Sequence, residues 1–221
     1  MTHIMIDLEM NKVKHQANEE GNRISNEIIE IGAVKMNDKF EVIDKFQSYV
    51  KPEYATISPV ITRITKITDE TVKDAPKLLD AMESFVKWIG EDDVTYYSWS
   101  MTDLRQFRSE LTYKNMYLDI LKKMENNWVD FQAEYSELLN IKRSIKLKDA
   151  VSSADYKFTG APHTALADAV NTAEILILSK NKEKFQKVMK PVIDLFKPYS
   201  GGNTLGAMCA DFFDDYKPES E

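Results

Sequence analysis

The chain has 221 residues, of which 43% are hydrophobic and 29% charged, and its formal net charge is −7. This length is enough for one domain with a substantial core, and the composition is typical of a soluble globular protein. The acidic balance argues against a basic nucleic-acid-binding protein. It is compatible with an enzyme that acts on nucleic acid through bound cations, because divalent metals can supply the positive charge.

The sequence contains no apolar run long enough for a membrane span and no basic region or cleavage site near Met1. We therefore expect a cytoplasmic protein that does not associate with membranes. Cys209 is the only cysteine, which excludes an intrachain disulfide. Its apolar neighbours at helical spacing indicate a buried structural thiol, with a nucleophile as the alternative.

The first part of the chain predicts three strands. Residues 2–10 are predicted to form the first strand, and a polar loop is expected over residues 11–26. Two further apolar runs, 27–37 and 40–50, are separated by a short turn around Asn37 and Asp38. Such a short polar connection is typical of an antiparallel hairpin.

The middle of the chain shows helix signals. Ser58 followed by Pro59, and Thr68 followed by two acids, are typical helix starts. The later segments alternate, and they are predicted as a helix ending at Gly90, a strand at 94–99, a helix at 102–111 and a strand at 128–131. This order predicts an α/β fold with a mixed five-stranded sheet flanked by helices.

The C-terminal residues 181–221 are predicted to form a helical extension that packs on the domain formed by residues 1–180. An apolar stripe from Phe185 to Phe196 has helical spacing, and Pro191 should kink or split that helix. A second stripe follows over residues 205–213. The alternative role for these stripes is a contact in a homodimer.

Two carboxylates interrupt the first strand. Asp7 and Glu9 are two residues apart, so their side chains project from the same face, while Ile6 and Leu8 face the other way. Two like charges on one face repel each other unless one is protonated or a cation lies between them. Asp103 opens the helix that follows the fourth strand; a favourable contact with the helix dipole is the alternative explanation for it.

The third acidic segment is PHTALADAVNTAEILIL, in which Asp168 lies on or beside the apolar face of a helix. His163 stands five positions earlier, next to the helix start set by Pro162. A histidine beside a half-buried carboxylate is a candidate general base, and a capping or surface histidine is the alternative.

Together these segments resemble the DEDDh-type 3′-to-5′ exonucleases, which have an RNase H-like fold. The matching motifs are DLE (7–9), SWSMTDLRQF (98–107) and HTALADA (163–169). The segments EIIEIGAVKMN and LKDAVSSADYKFTGAPHTALADAVNTAEIL are most similar to the subgroup of Eri-type and histone-mRNA exonucleases and KapD. The resemblance covers about residues 3–180.

The resemblance implies a metal-dependent exonuclease that hydrolyses single-stranded RNA, and DNA as a second substrate, from the 3′ end to 5′-mononucleotides. It implies two divalent cations, Mg²⁺ or Mn²⁺, as cofactors. Asp7 would bridge both ions, Glu9 and Asp168 would hold the ion that binds the attacking water, and Asp103 would support the other ion. Glu9 would also lie near the terminal 3′-hydroxyl, and His163 would be the general base, which must be neutral to act.

Substrate contacts are expected from Leu8, Met10 and Trp99. Met10, Trp99 and also Phe158 are candidates for stacking on bases, with core packing as the alternative. The chain departs from the subgroup at residues 10–12, and it has Ser100 and Lys66 where the subgroup usually has glycine. These departures bear on substrate preference.

Two other functions stay open at this point. One is a DNA-directed trimming or proofreading exonuclease, and the other is a catalytically silent module that binds nucleic acid. Two basic runs, 141–148 and 180–190, could contact nucleic acid, and a solvated helix face is the alternative for each.

Overall fold

The structure, a computed structural model, describes residues 1–116 and 119–196. A five-stranded sheet has the order β3-β2-β1-β4-β5. Strands β1, β2 and β3 are antiparallel neighbours, whereas β4 runs parallel to β1 and β5 parallel to β4. The strands are β1 (Thr2–Ala17), β2 (Arg23–Met36), β3 (Val42–Tyr49), β4 (Val94–Ser98) and β5 (Trp128–Asp130). The prediction of a mixed five-stranded sheet is confirmed.

Helices cover both faces of the sheet and enclose two apolar cores. Phe85, Leu104 and Met124 bring α3, α4 and α5 into the first core. Phe131 and Phe185 belong to helices α6 and α9 and pack in the second core. The helices are α1 (Pro59–Thr65), α2 (Asp69–Val72), α3 (Leu78–Ile89), α4 (Thr102–Tyr113), α5 (Asp119–Asn126), α6 (Phe131–Leu138), α7 (Leu147–Ser153), α8 (Ala165–Lys180) and α9 (Lys182–Phe196).

The alternation of side chains along β1 decides where the acidic residues lie. Ile4, Ile6 and Leu8 pack in the first core, while Met5 packs in the second. Asp7 and Glu9 have the same parity as Met5, so they project from the face that α8 covers.

The expected loop over residues 11–26 is wrong. β1 continues to Ala17 and β2 begins at Arg23, so only residues 18–22 form the turn. The polar residues there still alternate, since Asn11 and Val13 are buried whereas Lys12 and Lys14 are exposed. A two-stranded antiparallel ribbon with one solvent-exposed face pairs its backbone N–H and C=O groups across the strands and needs few apolar side chains.

The predicted helix starts are confirmed. The Ser58 hydroxyl accepts the Ile61 N–H with Pro59 in the first turn, and Thr68 forms a capping box with Thr71. α3 ends at Gly90, where φ is 83°. The C-cap of α1 is Lys66 with φ 66°, a left-handed conformation that glycine adopts at lower cost.

Pro191 does not split its helix, because α9 runs from Lys182 to Phe196 with Pro191 inside it, and a kink there stays a prediction. Pro191 and Lys187 are exposed, so the carbonyl that loses its partner can bond to water. Phe185 and Met189 hold the helix against the second core. The stripe at 205–213 and Cys209 lie outside the described residues. Within the described ranges, every helix is too short or too polar to cross a membrane.

Candidate active site

β1 and α4 bring three of the predicted carboxylates together. In the ladder between β1 and β2, Asp7 faces Gly32 and Glu9 faces Glu30. The backbone N–H of Leu8, between the two acids, donates to Asp103 Oδ1 at 3.1 Å. Asp103 is therefore fixed against the strand that carries Asp7 and Glu9.

Asp168 on α8 and His163, two residues before that helix, lie at the same place. One ring nitrogen of His163 and one carboxylate oxygen each of Glu9 and Asp168 lie within 4.8 Å of one another. His163 is exposed and has φ 63°, a left-handed conformation, just before the N-cap Thr164. A non-glycine residue held in this region stores strain, which is a frequent property of active sites.

Two residues of β2 position the start of α8, and the sequence motifs did not single them out. Glu30 is fully buried, and its Oε2 accepts the N–H of Ala165, the first residue of α8, at 3.1 Å. Gly32 lies directly beneath that turn, where a Cβ would be 2.2 Å from the carbonyl carbon of Ala165. A charged residue and a glycine inside the buried strand EIIEIGAV were the signals that could have indicated a close approach.

The acidic residues of the site have raised pKa values, to which burial and the neighbouring carboxylates both contribute. Burial, followed by the charges of Asp103, Asp168 and Glu9, raises the pKa of Asp7 well above its usual range. Burial and then Asp168 raise the pKa of Glu9 to about 8.

The pKa values of Asp103 on α4 and Asp168 on α8 are raised as well. Burial raises the pKa of Asp103 to about 7, although the N–H groups of its own backbone and of Leu8 favour the charged form. Burial also raises the pKa of Asp168, and this effect is partly offset by His163. The charges that raise the pKa values of Asp7 and Glu9 come from carboxylates, including Glu30, so ionised Asp7 and Glu9 are repelled by their neighbours.

These residues fit divalent cations. The Oδ1 atom of Asp168 is buried and has no hydrogen-bond partner among the described residues. An unsatisfied buried oxygen is costly, and a cation next to it would remove that cost. Carboxylate oxygens are hard ligands of the kind that Mg²⁺ and Mn²⁺ prefer.

The predicted substrate-contacting residues lie in different surroundings. Leu8 is only 5% exposed and packs in the first core, against which Met10 is half-buried. Trp99 is half-buried, donates its Nε1–H to the carbonyl of Ile145 at 3.0 Å, and lines a cleft together with Phe158 and His163.

Comparison with solved structures shows that this is the fold of 3′-exonucleases. The nuclease domain of 3′hExo, a DEDDh family member, bound to rAMP matches with a TM-score of 0.69 and 22% identity, over 82% of this chain and 94% of that one. Escherichia coli exonuclease I in complex with a dT13 oligonucleotide matches with a TM-score of 0.64 and 15% identity, over 88% of this chain and 43% of that one.

The chain belongs to the exonuclease family, whose family model matches residues 4–176. The predicted resemblance to the DEDDh-type 3′-to-5′ exonucleases is confirmed. Human 3′-5′ exoribonuclease 1 is 28% identical over 173 residues, which are 72% of this chain and 48% of that protein. A PolC-type DNA polymerase III of Caldanaerobacter subterraneus subsp. tengcongensis is 31% identical over 169 residues, 75% of this chain and 11% of the polymerase. The chain thus spans about half of the first relative and about a tenth of the second.

Proposed function

We propose that this protein hydrolyses single-stranded RNA from the 3′ end and releases 5′-mononucleotides. The observation that carries the proposal is the convergence of His163, Glu9 and Asp168, whose ligand atoms lie within 4.8 Å of one another, next to the half-buried Asp7 and the buried Asp103. A dense group of carboxylates suits metal-assisted phosphodiester hydrolysis.

Asp7, Glu9, Asp103 and Asp168 would hold two Mg²⁺ or Mn²⁺ ions. When bound, such ions lower the pKa of a coordinated water and neutralise charge that develops on the phosphate. His163 is exposed beside Glu9 and Asp168, where it can take a proton from a water that attacks the phosphorus. Glu30 and Gly32 act through α8, because they set the position of the helix that carries Asp168.

RNA is the substrate we favour, since the segments that surround the third motif are most similar to Eri-type exonucleases, and human 3′-5′ exoribonuclease 1 is a relative over 72% of the chain. DNA is the second candidate, because PolC-type DNA polymerases match a similar share of the chain at 31% identity. A cytoplasmic location, a homodimer through the C-terminal extension and the assignment of residues 181–221 to the same domain stay predictions.

The product ladder of end-labelled oligonucleotides tests this function. RNA and DNA of one sequence, labelled at the 5′ end, should shorten stepwise in Mn²⁺ or Mg²⁺ and stay intact in EDTA, with single-stranded RNA degraded fastest. A 3′-phosphate end should resist. Equal rates on RNA and DNA would shift the assignment to the second candidate, and binding without any shortening would favour a silent binding module.

Replacing His163 by alanine tests the proposed general base. Activity should fall by at least about 10²-fold, because a positioned base typically contributes that much. His15→Ala is the matched control, since His15 is also exposed but lies on the distal half of β1.

Mn²⁺ affinity, measured by thermal shift, separates two roles of His163, whose ring nitrogen is also close enough to be a metal ligand. A general base predicts unchanged affinity in His163→Ala. A large loss of affinity would show that His163 holds a metal ion instead.

A further inference from the structure

A cleft opens beside the proposed catalytic residues, between β4, the start of α7 and the segment before α8. The residues that matter here are Trp99, Lys146, Lys148, Phe158, His163 and Asp168, and we call this space the His163 cleft. Its volume of about 490 Å³ lies in the range of ligand-binding cavities. One wall is the catalytic pair His163 and Asp168, so a molecule bound in the cleft would reach the reacting phosphate.

The cleft brings two ammonium groups to a site that is rich in carboxylates. Lys146 and Lys148 are both exposed and both line it. In the part of the chain that the structure describes, neither ammonium group has an ion-pair partner. The two lysines come from the basic run at 141–148, and this location distinguishes them from lysines of an ordinary solvated helix face.

The lysines are carried by a segment that is held in place. The carbonyl of Ile145, next to Lys146, accepts the Nε1–H of Trp99 at 3.0 Å and the Nε2–H of Gln132 at 2.6 Å. Trp99 is itself packed edge-on against Phe131. The half-buried rings of Trp99 and Phe158 thus offer firm apolar surface near the two cations. Cations combined with aromatic surfaces are typical of sites for single-stranded nucleic acid.

We propose that the His163 cleft binds the single-stranded polynucleotide on the 5′ side of the scissile bond. Lys146 and Lys148 contact backbone phosphates there, and Phe158 contacts a base. The inference rests on the 3′-to-5′ activity proposed above. In that reaction the terminal nucleotide carries a single phosphate, the scissile one, which belongs to the carboxylate cluster. Further phosphate-binding groups beside His163 therefore serve the upstream chain.

The test compares a dinucleoside monophosphate, whose only phosphate is the scissile one, with an octanucleotide. In the double variant Lys146→Ala/Lys148→Ala, KM for the octanucleotide should rise at least about tenfold, whereas kcat/KM for the dinucleoside monophosphate should stay unchanged. The dependence of log KM on log salt should flatten by about 0.7 for each lost phosphate contact. Phe158→Leu should raise KM for the octanucleotide at least about fivefold.

The matched control is Lys122→Ala/Lys123→Ala, which removes the same charge from two exposed lysines of α5, on the opposite face of the sheet. It should behave as the parent. Equal losses on both substrates in the Lys146→Ala/Lys148→Ala variant would overturn the proposal, because the lysines would then act on the scissile phosphate or on the fold. An unchanged KM for the octanucleotide would overturn it as well.

Binding of a labelled octanucleotide keeps this test independent of turnover. Fluorescence anisotropy in an Asp7→Asn background should show a dissociation constant that rises when Lys146 and Lys148 are removed. If the parent binds the octanucleotide through these lysines but releases no mononucleotide, the proposed activity fails while the binding site stands. If the parent degrades the octanucleotide but the two lysines do not affect its binding, the site fails and the activity stands.

Discussion

An Asp7→Asn variant should lose at least about 10³-fold in exonuclease activity and yet be more stable than the parent when divalent ions are absent. The activity falls because several kcal/mol of charge stabilisation depend on the carboxylates that would hold the metal ions. The stability rises because burial, and then the charges of Asp103, Asp168, Glu9 and Glu30, oppose the ionisation of Asp7 and raise its pKa. The asparagine side chain has nearly the size and shape of the Asp7 side chain but carries no charge.

This gain depends on pH in a definite direction. The pKa of Asp7 is raised in the folded protein, and that of Glu9 is raised to about 8, so between pH of about 4 and 8 the folded state binds more protons than the unfolded state. The free energy of unfolding of the metal-free parent should therefore fall as the pH rises through this window. Asp7→Asn should exceed the parent by about 1–3 kcal/mol at pH 8 and by little near pH 4.

Thermal unfolding in EDTA and in Mn²⁺ measures both effects. At pH 8 in EDTA the melting temperature of Asp7→Asn should be about 3–10 °C above that of the parent. Mn²⁺ should raise the melting temperature of the parent and have a much smaller effect on the variant. Glu20→Gln, which removes an exposed charge from the turn between β1 and β2, is the control. A variant that is less stable than the parent at pH 8 would contradict the electrostatic account.

A Gly32→Val variant should reduce kcat by about 10²-fold or more and lower the free energy of unfolding by about 2–3 kcal/mol. Even a Cβ at this position would meet the backbone of Ala165 at 2.2 Å, so the first turn of α8 has to move. That turn carries the N–H that Glu30 accepts, and Asp168 lies three residues further on. A shift of about 1 Å in a catalytic group is enough for such a loss.

Ala33→Val separates this displacement from simple destabilisation. Ala33 is also fully buried on β2, but its side chain packs in the first core, away from α8. It should lower the melting temperature to a similar degree and keep kcat close to that of the parent. Gly32→Ala should fall between Gly32→Val and the parent in both measurements. If Ala33→Val lost as much kcat as Gly32→Val, the position of α8 would not be the cause.

The acidic motifs were predictable because each one coincides with a local signal. Asp7 and Glu9 interrupt an apolar strand, Asp103 stands at a helix start, and Asp168 stands near an apolar helix face. The alternation of two residues per period then places the first pair on one side of the sheet. The resemblance to the exonuclease subgroup also predicted glycine where Lys66 stands, and Lys66 has a φ of 66°, which favours glycine.

Other features were not predictable from local pattern. The role of Glu30 depends on Ala165, 135 residues further along the chain, which only the folded packing brings into contact. The length of β1 depends on its pairing with β2 rather than on apolar content, so polar residues after Met10 gave a false loop signal. Pro191 was expected to kink or split its helix, and the packing of Phe185 and Met189 keeps that helix continuous.

The hydrogen bond from the Ala165 N–H to Glu30 ties the start of α8 directly to the central sheet of this exonuclease domain. Because β2 holds the first turn of α8, Asp168 is located by the sheet as well as by the connection from α7 to α8, where Thr159 exchanges hydrogen bonds with Asn171. That connection forms part of the wall of the His163 cleft. Substitutions of Phe158 in that wall can therefore change the kind of nucleic acid admitted, while the carboxylates on β1, α4 and α8 stay in place.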